Sequence, residues 1–311
     1  MRDSDINALA LASQPSSEHD ALIAGTDIHQ HLWPEEFLAA LAARLRPPFL
    51  RGARLELGDQ GSWPIDVTEH RLERRLALLD ELEIERALVS LQPTLGADWL
   101  DGGEGEELAA VWERGILELA AASGGRIVPL AARAPAAGFG GLCVAAPELL
   151  DLDRVAPRLD ALAGSSGFLF VHPGNAHLPE GAPFWWAAVV EYTAQMQAAY
   201  AAWFAAGAAR WPKLDVVFAI LAGGAPIQLE RMESRGVEAR AAMLPRVWFD
   251  TASYGRRALE LAMSTFGVER MLFGSDAPVV DPAGALVTVR SFGEAITNAL
   301  VSENIQRLGR R

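Results

Sequence analysis

Ala21-Leu22-Ile23-Ala24-Gly25-Thr26-Asp27-Ile28-His29 reads as a β-strand, and Gln30-His31 carries it into a polar end. A helix is expected from Pro34 to about Arg44, with proline at the first helical position, where its missing N–H costs nothing. The same succession of a short apolar run and an amphipathic segment recurs along the chain. Strands are expected at 86–91, 126–132, 141–146, 167–172, 215–221, 246–252 and 270–276. Helical periodicity falls near 68–83, 105–123, 153–163, 184–209, 226–240, 255–266 and 283–300. Eight strands with mostly helical connections favour an α/β fold closed as a (β/α)8 TIM barrel over an open doubly wound sheet. No GxGxxG loop follows the first strand, which counts against a dinucleotide fold.

Two stretches depart from the repeat. Residues 46–66, RPPFLRGARLELGDQGSWPID, mix proline and glycine with a short β-like run and are expected to form an inserted hairpin or lid. The link between the third and fourth strands is short and rich in glycine and proline, so no regular helix is expected there. After the insertion Thr68 is placed to cap a helix whose Leu72, Leu76, Leu79 and Leu82 form one apolar stripe. Residues 1–20 lack a basic region and read as a flexible tail, not a signal peptide, leaving 21–311 as a single barrel domain.

Composition narrows the partners. The chain has 311 residues, and 27 basic against 40 acidic residues give a formal net charge of −13, which disfavours nucleic acid and anionic membranes. The alanine-rich stretch Tyr192 to Arg210 is interrupted by Gln195, Gln197 and Gly207 and reads as a buried barrel helix, not a membrane span. Cys143 is the only cysteine, so no intrachain disulfide forms, and a cytoplasmic location is the default.

The chemistry is concentrated at strand ends. His29 and His31 are two apart on a strand and therefore point the same way, which at the C-terminal mouth of a barrel is into the pocket. His172 ends Phe168-Leu169-Phe170-Val171-His172, and Asp276 ends Leu272-Phe273-Gly274-Ser275-Asp276. Singly, His172 reads better as a packed or hydrogen-bonded residue and Asp276 as a turn or cap residue. Together, on strands one, five and eight, three imidazoles and a carboxylate form a sensible set for one divalent ion: zinc first, with manganese, iron or cobalt as alternatives.

TDIHQHLWP (26–34), FVHPG (170–174), WFDTAS (248–253) and ERMLFGSDAPV (269–279) resemble the amidohydrolase superfamily, in the branch of aminocarboxymuconate-semialdehyde decarboxylase. The resemblance covers about residues 22–310. It implies that His29, His31 and His172 bind the metal, and that Asp276 ligates the ion or its water and moves a proton. It also implies a homodimer. In that branch the sixth strand usually ends in a histidine followed by Leu-Gly-Gly; here Ile220 stands at the histidine's place in Phe218-Ala219-Ile220-Leu221-Ala222-Gly223-Gly224. Isoleucine can neither polarise a carbonyl nor move a proton. The fourth strand, GLCVAAPE, offers no Lys or Glu at its end to bridge two ions, so the site is expected to be mononuclear.

Four further residues are candidates. Asp250 either hydrogen-bonds a ligating imidazole or caps a helix. His177, five residues past His172, is either a solvated loop histidine or a replacement acid/base. Arg133 either clamps a substrate carboxylate or forms a surface salt bridge. Of Trp185 and Trp186, one is expected to wall the pocket. These readings converge on a metal-dependent hydrolase of a small carbonyl or carboxylate compound. The alternatives are a non-oxidative decarboxylase and a catalytically silent metal-binding barrel.

Overall fold

Eight parallel strands follow one another around one sheet in sequence order, in a computed structural model that describes residues 25–97, 100–101, 103–238 and 245–308. They are β1 (Thr26–Gln30), β5 (Arg86–Val89), β6 (Ile127–Ala131), β7 (Gly141–Ala145), β8 (Phe168–His172), β9 (Val216–Phe218), β10 (Val247–Asp250) and β11 (Met271–Leu272). The expected tail and residues 21–24 of the first strand candidate lie outside the described residues. The last strand meets the first: Ile28 N–H donates to the Phe273 carbonyl at 2.9 Å, Asp276 N–H to that of His29 at 2.8 Å, and His31 N–H to that of Ala277 at 2.8 Å. The strands thus form the (β/α)8 barrel expected from the repeat. As anticipated, no helix joins β6 to β7. Among the described residues, no helix is long and apolar enough to cross a membrane.

Side chains on a strand alternate faces, and both faces here are buried. On β8 the inward set includes Phe170 and His172, with the Phe170 ring 5.1 Å from that of His29. On β9 and β10 the outward Phe218 and Phe249 pack on helical rings, Phe218 on Tyr200 at 5.5 Å and Phe249 on Phe266 at 4.2 Å. Each such ring contributes about 1.5–3 kcal/mol by leaving water. These contacts fix the rotation of each strand and therefore which side chains reach the mouth.

The insertion is more than a hairpin. β2 (Phe49–Arg51), β3 (Arg54–Glu56) and β4 (Ser62–Pro64) form a separate three-stranded antiparallel sheet. The extra strand arises because a turn at Gly58–Gln60 ends in Gly61, whose φ of 84° is open to glycine at little cost. Thr68 does not cap the next helix, which spans Leu72–Leu82. The Asp66 carboxylate instead accepts from the Thr68 N–H at 2.9 Å and its O–H at 2.7 Å, holding a 3-10 turn at Val67–His70. The long alanine-rich helix is also interrupted, by wider π-turns at Ala187–Glu191 and Trp203–Gly207.

Candidate metal centre

His29 and His31 lie at the end of β1, His172 at the end of β8, and Asp276 in the turn after β11; one ligand atom from each falls within 4.8 Å of all the others. The three imidazoles stand edge to face, with centroids 5.0–5.1 Å apart. His29 Nε2 is 3.3 Å from His31 Nε2 and 3.5 Å from Asp276 Oδ1, and His31 Nε2 is 3.1 Å from that oxygen. Such separations are those between neighbouring ligand atoms placed about 2.0–2.2 Å from a common centre.

Each imidazole is oriented through its other nitrogen. Nδ1 of His29 lies 2.6 Å from Asp250 Oδ2, that of His31 3.1 Å from the Ser90 carbonyl, and that of His172 2.9 Å from the Pro173 carbonyl. Carbonyl and carboxylate oxygens only accept, so all three Nδ1 atoms donate and the three Nε2 atoms are left as the ligating positions. The facing Nε2 atoms of His29 and His31 need a positive charge between them, met by a proton on His29 or by a cation in its place.

The charge balance agrees. Burial lowers His31 and drives His172 well below the usual imidazole range. Burial also opposes charge on His29, but the Asp250 and Asp276 carboxylates outweigh it and hold that group up at about 9. Burial works against the Asp276 carboxylate too, yet the surrounding imidazoles keep it below the ordinary carboxylate range. The pocket therefore draws positive charge to the point where the four ligand atoms meet. The residues fit one divalent ion.

The backbone around these groups is tied by residues that sequence reasoning passed over. Asp27 is fully buried; its Oδ1 accepts from the His29 N–H at 3.1 Å and the Ser275 N–H at 3.0 Å, joining β1 to the turn that carries Asp276. Its Oδ2 accepts from Gln30 Nε2 at 2.7 Å. The guanidinium of Arg75, also fully buried, donates to Gln30 Oε1 at 2.8 Å and to the His31 carbonyl at 3.0 Å. Burial lowers Arg75 only to about 10, so it stays charged at neutral pH. A signal was present: Asp27 and Gln30 flank the first histidine of the HxH pair.

The other candidates fall into two groups. Asp250 sits inside, its Oδ1 accepting from the Ile220 N–H at 2.7 Å and the Ala252 N–H at 3.1 Å while Oδ2 meets His29. Arg133 pairs with Glu113 on the helix Glu104–Ala122, its Nε 2.7 Å from Glu113 Oε2, so its charge is already partnered. His177 is exposed, with Nδ1 2.6 Å from Asp59 Oδ2 in the insertion. Trp185 is 45% exposed and stacks on Trp186 at 6.1 Å. Ile220, Leu221 and Ala222 take φ of 45°, 51° and 50°, a left-handed turn unusual for residues with side chains. The segment Ile220–Glu233 begins with that turn and not with a regular helix.

A buried cluster of three histidines and an aspartate at the C-terminal mouth of a (β/α)8 barrel defines a metal-dependent enzyme. The chain belongs to the amidohydrolase family, whose profile matches residues 19–308. Among curated proteins nothing matches it. Solved structures share the fold. The apo IDCase of Metarhizium anisopliae superposes with a TM-score of 0.76 at 21% identity, covering 92% of this chain and 97% of that one. The 5-carboxyvanillate decarboxylase of Sphingomonas paucimobilis gives 0.69 at 18% identity, covering 93% and 99%. A dihydroxybenzoic acid decarboxylase of a Polaromonas species, with bound manganese and the inhibitor 2-nitroresorcinol, gives 0.69 at 19% identity, covering 92% and 97%.

Proposed function

We propose that the chain is a metal-dependent decarboxylase of a small aromatic carboxylate carrying a hydroxyl beside the carboxyl group. The observation that carries this reading is the convergence of three Nε2 atoms and the Asp276 carboxylate on one point at the barrel mouth. The decarboxylases of similar fold, one of them with manganese, support the choice of reaction. A bound divalent ion supplies Lewis acidity that holds and polarises the substrate's oxygens.

His29, His31, His172 and Asp276 would hold that ion, with Asp250 keeping His29 in the ligating tautomer. Asp276 begins ionised because the imidazoles hold its carboxyl low. It takes the proton of the substrate hydroxyl and returns it to the ring carbon. The carboxyl carbon leaves as carbon dioxide, and the electron pair of the broken C–C bond remains on the ring to receive that proton. Buried apolar neighbours such as Phe170 limit the entry of water.

Hydrolysis of a small carbonyl compound is the second reading. It is favoured by the same ionised Asp276, which can equally accept a proton from water. Zinc and manganese both suit the donor set. Protein purified without chelators should contain close to one divalent ion per chain. Loaded protein given 2,6-dihydroxybenzoate, 5-carboxyvanillate and related hydroxybenzoates should release carbon dioxide. Turnover confined to esters, lactones or amides would replace this reading with the second; metal retention with no turnover on either panel would leave a silent binding barrel.

A further inference from the structure

A buried side chain ties the insertion to the loops at the mouth. Gln60, 3% exposed, lies in the turn between β3 and β4. Its Nε2 donates to the Thr94 carbonyl at 2.9 Å, beyond β5, and also to Asn175 Oδ1, three residues past His172. With both amide hydrogens used, the side chain cannot flip, and Oε1 is left as a fixed acceptor. That acceptor receives the Tyr192 hydroxyl at 2.5 Å.

The bond defines what Tyr192 can offer. A phenol has a single proton, and Gln60 holds it, so the Tyr192 oxygen turns lone pairs, not a proton, toward other partners. Its two lone pairs remain to accept from other donors. Burial raises the phenol above its usual range, and the Asp276 carboxylate adds to the effect, so the group stays neutral.

We propose that Tyr192 is a specificity-determining residue whose phenolic oxygen accepts a hydrogen bond from a second hydroxyl of the substrate, with Gln60 of the inserted sheet as the residue that positions it. This rests on the decarboxylase reading above and narrows it to dihydroxylated aromatic acids, with one hydroxyl toward the ion and one toward Tyr192. It also gives the insertion a function, that of presenting Gln60 to the mouth. Isoleucine at position 220 offers no polar group for a second hydroxyl.

The test compares 2-nitroresorcinol, with two hydroxyls, and 2-nitrophenol, with one, by absorbance titration of manganese-loaded protein. Wild type should bind 2-nitroresorcinol about tenfold tighter, the factor one neutral hydrogen bond supplies. Tyr192→Phe should lose that preference while keeping its manganese stoichiometry and its affinity for 2-nitrophenol. Gln60→Leu, which frees the phenol's proton, should reduce the preference with manganese still bound. A Tyr192→Phe protein that retains the full preference overturns the proposal and leaves the decarboxylase reading intact, as does wild type binding both probes equally. Wild type that loads manganese but binds neither probe overturns both.

Discussion

Replacing Asp250 by Asn removes an acceptor from a place where three donors meet. Asp250 Oδ2 faces the His29 Nδ1–H at 2.6 Å, while Oδ1 takes the N–H groups of Ile220 at 2.7 Å and Ala252 at 3.1 Å. Asparagine has one acceptor oxygen, with an NH2 group in place of the other. If its oxygen stays with the two backbone amides, the NH2 group confronts Nδ1–H. The imidazole escapes only by moving its proton to Nε2, which then has no lone pair for a cation. If the amide flips, His29 keeps its tautomer, but two backbone donors lose their acceptor, one of them on Ile220 with its left-handed φ of 45°. Either arrangement forfeits a buried hydrogen bond to a charged acceptor, about 1.5–3 kcal/mol. The first shows the loss as metal affinity, about 10–100-fold; the second shows it as folding stability. Competition against a chromophoric chelator measures the one, and urea unfolding of metal-free protein measures the other. The two losses should sum to about 2 kcal/mol, and the imidazole ¹⁵N shifts should report which tautomer is present. A variant that binds manganese within threefold of wild type and unfolds at the same urea concentration would refute this account.

Asp276→Asn should retain the ion and lose a hundredfold or more in turnover, as removal of a proton-transfer group does; an unchanged rate in a carbon dioxide assay removes Asp276 from the mechanism. Gly274→Ala places a Cβ 2.9 Å from His29 Cβ and 3.1 Å from Asp250 Cβ. Those atoms sit next to the backbone and cannot swing away, so a loss of about 1–3 kcal/mol in urea unfolding is expected, together with weaker metal retention. Arg75→Met leaves the Gln30 amide and the His31 carbonyl without their donor and should cost about 1.5–3 kcal/mol, read as a lower urea midpoint; an equal midpoint would show that this network contributes nothing. His70 accepts the Trp33 N–H at 3.1 Å and stacks on the Trp33 ring at 4.6 Å. Burial holds it down at about 3, with Arg75 adding to the effect. Its folded value lies below its unfolded value, so its stabilisation is complete above about pH 6.5 and is lost as pH falls toward 3. Between pH 6 and 5 wild type should lose about 1 kcal/mol more than His70→Gln, which keeps an acceptor for Trp33 but does not titrate; parallel pH profiles would contradict this.

Much of the barrel was legible because its signals are local. The apolar middles of runs such as GFLFVH and RVWFDTA are buried on both faces, so they read as continuous runs and not as alternations. The strand-end histidines were legible for a related reason: a polar residue ending an apolar run has few places to go except the mouth. What escaped depends on contacts distant in sequence. Glu113 lies within a helix and Arg133 follows the next strand, and no spacing rule pairs them. His177 gave no sign that Asp59 would meet it. The third strand of the insertion contains a proline, which lowers its strand propensity, and it forms at an edge, where a missing N–H is tolerated. The left-handed turn at Ile220–Ala222 runs against the preference of every side chain in it, and no local reading of Ile-Leu-Ala would produce it.

The seam between β1 and the turn after β11 explains why these costs are retained. An apolar seam would close a barrel more cheaply than a buried carboxylate on Asp27, a buried guanidinium on Arg75 and a left-handed Asp276 at φ 63°. Apolar packing, however, constrains a backbone loosely, whereas hydrogen bonds fix it to a few tenths of an ångström. Here Asp27 grips the backbone of both His29 and Ser275, the His29 carbonyl takes the Asp276 N–H, and Arg75 grips the His31 carbonyl. None of these bonds uses an Nε2 atom. The chain therefore sets the spacing of its ligand atoms before any ion arrives. Metal-free protein should accordingly remain folded and unfold cooperatively, unlike a domain whose fold is made by its metal.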